Sequence, residues 1–163
     1  MTGKYFRIFF VCMALIVLSA CKQDDKPAST ASPAAISGED ECALDGMIVA
    51  NYPGPKAQIQ YRQKGRRDFF CETKELFHVY MEPGMEAKVA ALYVQNTALI
   101  DWEKPVNNWI EAKGAFYVVG ASIDGSMGPT YAPFKSRDDA APFIKKYGGD
   151  IMTFNEVIKL IGG

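Results

Sequence analysis

Two sulfur-bearing side chains lie close together in the segment Cys42-Ala-Leu-Asp-Gly-Met47, which carries the most distinctive chemistry of this sequence. A thiolate and a thioether are soft ligands, and soft ligands select Cu(I). Gly46 allows the backbone to approach a bound ion closely. Asp45 is a hard oxygen donor that Cu(I) disfavours, so its better role is as an acceptor that steadies the loop. The segment therefore predicts a Cu(I) site built on Cys42 and Met47.

Three further residues could complete such a site. Met127 stands between glycines in Gly125-Ser-Met-Gly128, and this loop position favours use of its sulfur as much as packing in a core. His78 is the only histidine in the chain. Cys71 precedes a predicted helix N-terminus, where the helix dipole lowers the pKa of a thiol. It could be a second sulfur ligand, a disulfide partner of Cys42 or a buried core residue, and these alternatives stay open.

Several classes of protein lack their signatures in this chain. There is no Gly-x-Ser-x-Gly motif, no glycine-rich phosphate loop and no Cys-x-x-Cys motif. A zinc site needs three or four Cys, His or carboxylate ligands, and two non-signal thiols with one histidine are a thin supply. The formal net charge of −1 gives no reason to expect nucleic acid as a partner.

The N-terminus reads as a lipoprotein signal peptide over residues 1–20. Lys4 and Arg7 precede an apolar run over residues 8–18, which is too short to span a bilayer as a helix. The ending Leu18-Ser-Ala-Cys21 resembles the lipobox of bacterial lipoproteins, in which the cysteine is acylated and becomes the first mature residue. We therefore expect a lipid on Cys21 and a protein that faces the periplasm. Lys22 in place of aspartate favours the outer membrane, by resemblance to the sorting pattern of such lipoproteins.

The mature chain divides into a lipidated linker and one folded domain. Residues 21–38 are small, polar and poor in apolar side chains, so we expect a flexible tether. Residues 39–163 are an ordinary length for a single domain.

The pattern within the domain predicts an α+β fold made of two tandem ββαβ units, at about 39–100 and 110–163. In the first unit, alternating residues 57–62 indicate a strand with one exposed face, and Thr73 is the expected helix cap. In the second, Ser136 should cap a helix over residues 137–147 and Asn155 a final helix to residue 161. Residues 101–109 between the units read as irregular. The remaining predicted elements are strands at 67–71, 90–95, 115–120, 130–134 and 150–154 and a helix at 74–80.

A series of short segments, in order along nearly the whole domain, resembles the NosL family of lipoprotein copper chaperones. They are Glu41-Cys-x-x-x-Gly-Met47, Tyr52-Pro-Gly-Pro-Lys-Ala-Gln58, Phe70-Cys-x-Thr73, Leu92-Tyr-Val94, Trp102-Glu-Lys-Pro105, Ala115-Phe-Tyr-Val-Val-Gly120, Ser126-Met-Gly128 and Gly148-Gly-x-x-x-x-Phe154. The resemblance implies two ββαβ units and a Cu(I)-binding protein that serves the copper-sulfide site of nitrous oxide reductase. The family site lies around Cys-x-x-Cys-Gly-Met, and here Asp45 stands where many relatives have the second cysteine.

The sequence therefore predicts a non-enzymatic Cu(I) metallochaperone that takes part in nitrous oxide reductase maturation, and hence in denitrification. The predicted metal ligands are Cys42, Met47, Met127 and His78, with Cys71 and Asp45 less favoured. The resemblance implies nitrous oxide reductase and its copper-loading membrane transporter machinery as partners.

Two other classes of function stay open. Cys42, Asp45 and Cys71 also resemble the Cys, Asp and Cys set of organomercurial lyase, in which two thiolates hold mercury and the aspartate handles the proton. A passive lipoprotein that docks a partner through residues 102–109 is the other alternative.

Overall fold

The computed structural model describes residues 32–163, which form an α+β fold as predicted. The predicted signal peptide, the lipidation site Cys21 and most of the predicted linker lie outside the described residues. Within residues 32–163, no helix is both long and apolar enough to cross a bilayer.

Nine strands and four α-helices follow one another within residues 32–163. They are β1 (Ala57–Tyr61), β2 (Arg67–Phe70), α1 (Thr73–Tyr80), α2 (Met85–Lys88), β3 (Val89–Gln95), β4 (Trp109–Glu111), β5 (Phe116–Val119), β6 (Asp124–Gly125), β7 (Gly128–Pro129), β8 (Ala132–Phe134), α3 (Arg137–Tyr147), β9 (Asp150–Thr153) and α4 (Phe154–Gly162). Three 3-10 turns lie at Val49–Asn51, Thr97–Leu99 and Ala112–Gly114.

The two halves repeat one antiparallel topology, which confirms the predicted pair of ββαβ units. The first sheet has the order β2-β1-β3-β4 and the second the order β8-β5-β9. In each half the first strand is central, and the strand after the helix pairs on its other side. β4 extends the first sheet by pairing with β3, so the segment predicted as irregular ends in a strand.

The largest apolar cluster within residues 32–163 contains residues of both halves. Phe77 on α1 packs against Tyr117 on β5 and Phe154 on α4, with ring centroids 5.0 and 4.9 Å apart. Leu76, Phe77 and Tyr80 are apolar residues at three- and four-residue spacing, which places them on one face of α1. Leu76 and Phe77 are fully buried, and Tyr80 packs against the same cluster. The core therefore fixes α1, and with it the end of β2, relative to the second half of the chain.

The helix caps confirm one expectation and correct two. Ser136 caps α3 by accepting a hydrogen bond from the Asp139 amide, as predicted. α1 is capped by Glu72 rather than Thr73, and α4 by Thr153 rather than Asn155. In both corrected cases the cap residue and the Glu three positions later form a reciprocal capping box, which satisfies two backbone N–H groups at once.

The outer face of β1 is buried, which corrects the expectation of an exposed face. Residues 32–52, here called the N-terminal arm, cover this face, and all five residues of β1 are buried. The Gln58 amide donates to the Ala34 carbonyl and accepts from the Ala34 N–H, both at 3.0 Å. Gln60 Nε2 donates to the Ser32 carbonyl at 2.7 Å. The described end of the predicted linker is therefore hydrogen-bonded to the sheet. The side-chain amides of Gln58 and Gln60 bond to its backbone groups, as the backbone of a neighbouring strand would.

We expect Gln58→Leu to loosen the start of the arm. The change leaves the N–H and C=O of Ala34 without their partner, at a cost of about 1–3 kcal/mol of stability. Urea unfolding measures this cost, and hydrogen exchange should show lost protection at Ala34. Gln63→Leu is the control, because Gln63 is exposed. Unchanged protection of Ala34 in Gln58→Leu would contradict the role of this side chain.

Candidate metal centre

Three side chains from two separate segments of the first half meet at the end of β2. The donor atoms of Cys42, Asp45 and Cys71 all lie within 4.8 Å of one another. Within residues 32–163, this is the one such group of three or more His, Cys, Asp or Glu donors. Cys42 belongs to the N-terminal arm, and Cys71 directly follows β2.

The Cys42 loop is closed by its own backbone. The Cys42 N–H donates to the Met47 carbonyl at 2.8 Å, and the Gly46 N–H donates to the Cys42 carbonyl at 2.9 Å. Gly46 has a φ of 75°, a left-handed conformation that glycine adopts without strain. Asp45 Oδ1 accepts from the Met47 N–H at 3.0 Å, which is the loop-steadying role expected for this residue.

A long-range backbone pairing brings the two thiols together. Cys42 forms a parallel bridge with Phe69, and the Ala43 N–H donates to the Phe69 carbonyl at 2.9 Å. Phe69 lies in β2, two residues before Cys71. The arm therefore runs along the end of β2 and places Cys42 beside Cys71.

Both thiols are free and buried in the structure. Burial raises the pKa of Cys42, although backbone hydrogen bonds partly oppose the shift. Burial, reinforced by the charge of the Cys42 thiolate, raises the pKa of Cys71 to about 12. The thiols are thus protonated at neutral pH without metal. Since a metal binds the thiolate, binding must displace their protons.

Charged side chains that the sequence analysis missed surround this pair. Cys42 Sγ donates to Glu75 Oε2 at 3.5 Å, and burial raises the pKa of Glu75. Lys56 is fully buried, and its Nζ donates to the carbonyls of Pro53 at 2.8 Å and Cys71 at 3.0 Å. The signal for Lys56 was its place in the family segment 52–58, and the signal for Glu75 was the capping-box spacing from Glu72.

Met47 and Met127 have different surroundings. Met47 is half-buried and packs against a cluster of Cys42, Val49, Phe69 and Cys71, which we call the outer cluster. Met127 is 56% exposed on the loop between β6 and β7. Ser126 Oγ donates to the Cys71 carbonyl at 3.0 Å, and the Met127 N–H donates to Glu72 Oε1. This loop of the second half is thus attached to the residues that carry the second thiol.

His78 does not join the thiols. Its side chain is exposed on α1, and it is outside the group formed by Cys42, Asp45 and Cys71. The helix turns this residue to solvent because its neighbours Phe77 and Val79 face the interior. The structure therefore groups Cys42, Asp45 and Cys71 and packs Met47 against the outer cluster that contains both thiols. It attaches the Met127 loop to Cys71 and Glu72 and leaves His78 exposed on α1.

Comparison with known proteins gives consistent results over the described part of the chain. The sequence model of the NosL family matches residues 33–160. The chain is 33% identical over 141 residues to the copper-binding lipoprotein NosL of Stutzerimonas stutzeri, covering 86% of this chain and 73% of that protein. It is 35% identical over 155 residues to the copper-binding lipoprotein NosL of Achromobacter cycloclastes, covering 93% and 79%.

A solved structure extends the similarity to the fold. The crystal structure of the copper chaperone NosL from Shewanella denitrificans is 36% identical in sequence, with a TM-score of 0.72. The match covers 77% of this chain and 94% of that one. Since the family model, two curated relatives and a solved structure agree over most of the domain, this chain belongs to the NosL family.

Proposed function

We propose that this protein is a Cu(I) metallochaperone, held on a membrane by a lipid on Cys21 and facing the periplasm. The observation that carries the proposal is the pair of free, buried thiols of Cys42 and Cys71 at the end of β2. Three relatives support it, because two are named copper-binding lipoproteins and one a copper chaperone. The membrane we propose for the anchor is the outer membrane. The partners we propose are nitrous oxide reductase, whose copper-sulfide site receives the copper, and its copper-loading membrane transporter machinery.

The chemistry of the donors favours copper in its monovalent state. Two thiolates are soft, anionic ligands, and Met47 can add a soft thioether from the outer cluster. Asp45 is a hard donor that already accepts the Met47 N–H, so we keep it as a support of the loop. Copper is cargo here: it enters and leaves by ligand exchange without a change of oxidation state.

Met127 is proposed as the donor that meets copper during entry or release. It is exposed on a loop held against Cys71 and Glu72, so a partner can reach its sulfur without opening the domain. His78, exposed on α1, is not retained in the proposed ligand set.

Titration of the reduced lipoprotein in detergent with Cu(I), without oxygen, tests the proposal. We expect one Cu(I) per chain, held against a chromogenic chelator, and tighter binding of Cu(I) than of Zn(II). Met47→Leu keeps the apolar volume but removes the thioether, so we expect about a tenfold lower affinity, which is about 1.4 kcal/mol.

Met127→Leu should slow transfer to a chelator more than it lowers affinity. Met152→Leu is the matched control for both methionine variants, because Met152 lies on β9 in the second sheet. Tighter binding of Zn(II) than Cu(I) under matched reducing conditions would overturn the assignment.

A second candidate function is an organomercurial lyase, and the grouping of Cys42, Asp45 and Cys71 is the observation that favours it. Such an enzyme would bind mercury on two thiolates while the aspartic acid gives its proton to the departing carbon. Incubation of the reduced protein with an organomercurial separates the candidates. Released hydrocarbon identifies the lyase, whereas bound organomercurial without turnover agrees with the chaperone.

A further inference from the structure

Lys56 is a buried cation, and no carboxylate of the described residues 32–163 lies within ion-pair distance of its Nζ. Lys56 directly precedes β1 and is 0% exposed. Both hydrogen-bond partners of its Nζ are neutral groups, the backbone carbonyls of Pro53 and Cys71. Within residues 32–163, the ion pair shorter than 4.0 Å is instead Lys74 with Glu72. Burying an ammonium group without a counter-charge is costly, so a lysine at this position calls for a compensating role.

Lys56 lies beside the metal centre, because one of the two carbonyls that its Nζ contacts belongs to Cys71. Burial lowers the pKa of Lys56 to about 8, and four groups act against this shift, in the order Cys71, Glu72, Glu75 and Cys42. The hydrogen bond from Nζ to the Cys71 carbonyl, at 3.0 Å, holds the ammonium group next to the residue that carries the second thiol. Each thiol of the metal centre that loses its proton therefore adds a negative charge close to the buried ammonium group of Lys56.

Copper loading changes the charge of this pocket by one unit. Two S–H bonds break, two Cu–S bonds form, and two protons leave for solvent while copper stays monovalent. One positive charge enters and two leave, so the pocket becomes more negative by one. A divalent ion bound by the same two thiols brings two charges and leaves the total unchanged. A fixed cation beside the thiols therefore favours the monovalent ion specifically.

We propose that Lys56 is a specificity-determining residue that stabilises the two-thiolate form of the site with a monovalent soft ion and so selects Cu(I) over divalent metals. The inference rests on the proposed function of Cys42 and Cys71 as the copper ligands. The alternative is a purely structural role, in which Nζ only holds the carbonyls of Pro53 and Cys71 in place by hydrogen bonds. A test must separate charge from hydrogen bonding.

The test compares a monovalent and a divalent soft ion in the same variant. Reduced lipoprotein in detergent at about pH 7 is titrated with Ag(I) and with Cd(II), and the ratio of the two affinities is measured. Lys56→Gln removes the charge and keeps N–H donors, and we expect Ag(I) affinity to fall about tenfold or more, the scale of partners just outside a metal's ligands. Cd(II) affinity should change by less than about threefold. Lys56→Met should shift the ratio in the same direction.

Two control variants separate the charge of Lys56 from the bulk of its side chain and from the charge of a neighbouring lysine. Lys56→Arg keeps the charge and should keep the parental ratio, even where its bulk lowers both affinities. Lys74→Gln removes a partly exposed charge that pairs with Glu72, and should also keep the ratio. Equal losses for Ag(I) and Cd(II), or no loss for either, would overturn the role of Lys56. A parent protein that binds neither Cu(I) nor Ag(I) would instead overturn the proposed function.

Discussion

Cys42→Ser and Cys71→Ser should each lower Cu(I) affinity by more than about 100-fold. Either change removes one of two anionic soft ligands, whereas partners outside the ligand set typically account for 10–100-fold in metal affinity. The measurement is competition with a chromogenic Cu(I) chelator under reducing, anaerobic conditions. The result for Cys71→Ser is the more informative of the two, because the sequence by itself did not show whether Cys71 is a metal ligand or a core residue.

The controls for these variants separate ligand loss from damage to the fold. Serine is smaller and more polar than a buried thiol, so urea unfolding must show that each variant is folded at the start of the titration. His78→Ala should leave Cu(I) affinity within about threefold, because His78 is exposed on α1. If Cys71→Ser binds Cu(I) as the parent does and His78→Ala loses most of its Cu(I) affinity, then His78 is a copper ligand and Cys71 is not.

Oxidation of Cys42 and Cys71 to a disulfide should abolish Cu(I) binding and stabilise the domain. The sulfur atoms lie within 4.8 Å of each other, so a small movement brings them to the bonding distance of about 2.05 Å. A cross-link between these residues restricts the unfolded chain, and we expect a gain on the order of 3–4 kcal/mol. The raised pKa of both thiols leaves little thiolate at neutral pH, so air oxidation of the metal-free protein should be slow.

Mass spectrometry detects the loss of two hydrogens, and urea unfolding with and without reductant measures the stabilisation. Reductant should restore Cu(I) binding in the same sample. Cys71→Ser is the control, because it should show no dependence of stability on reductant. An oxidised protein that still binds one Cu(I) tightly would place the copper ligands away from these two sulfurs.

The order of secondary structure was largely readable from the sequence, because its signals are local. The predicted helix over residues 137–147 matches α3, since an N-terminal cap at Ser136 and glycines after Tyr147 mark its ends. The repeated ββαβ order was readable for the same reason. The candidate loop was also evident, because Cys42 and Met47 are unusual neighbours in any segment.

Long-range contacts decided the composition of the site. Cys71 became a partner of Cys42 through the bridge between Cys42 and Phe69, which joins two segments that no periodicity relates. The covered outer face of β1 depends on where the N-terminal arm packs. The burial of Lys56 depends on the tertiary contacts of its side chain, which reaches the carbonyl of Cys71. Residue types and their spacing indicate which side chains are suited to copper. A metal site also needs its donor atoms within a few ångströms of one another, and sequence spacing does not determine that distance. Only the packing of the arm against the end of β2 determined that Cys71 lies beside Cys42. His78 faces solvent because its neighbours on α1, Phe77 and Val79, face the interior.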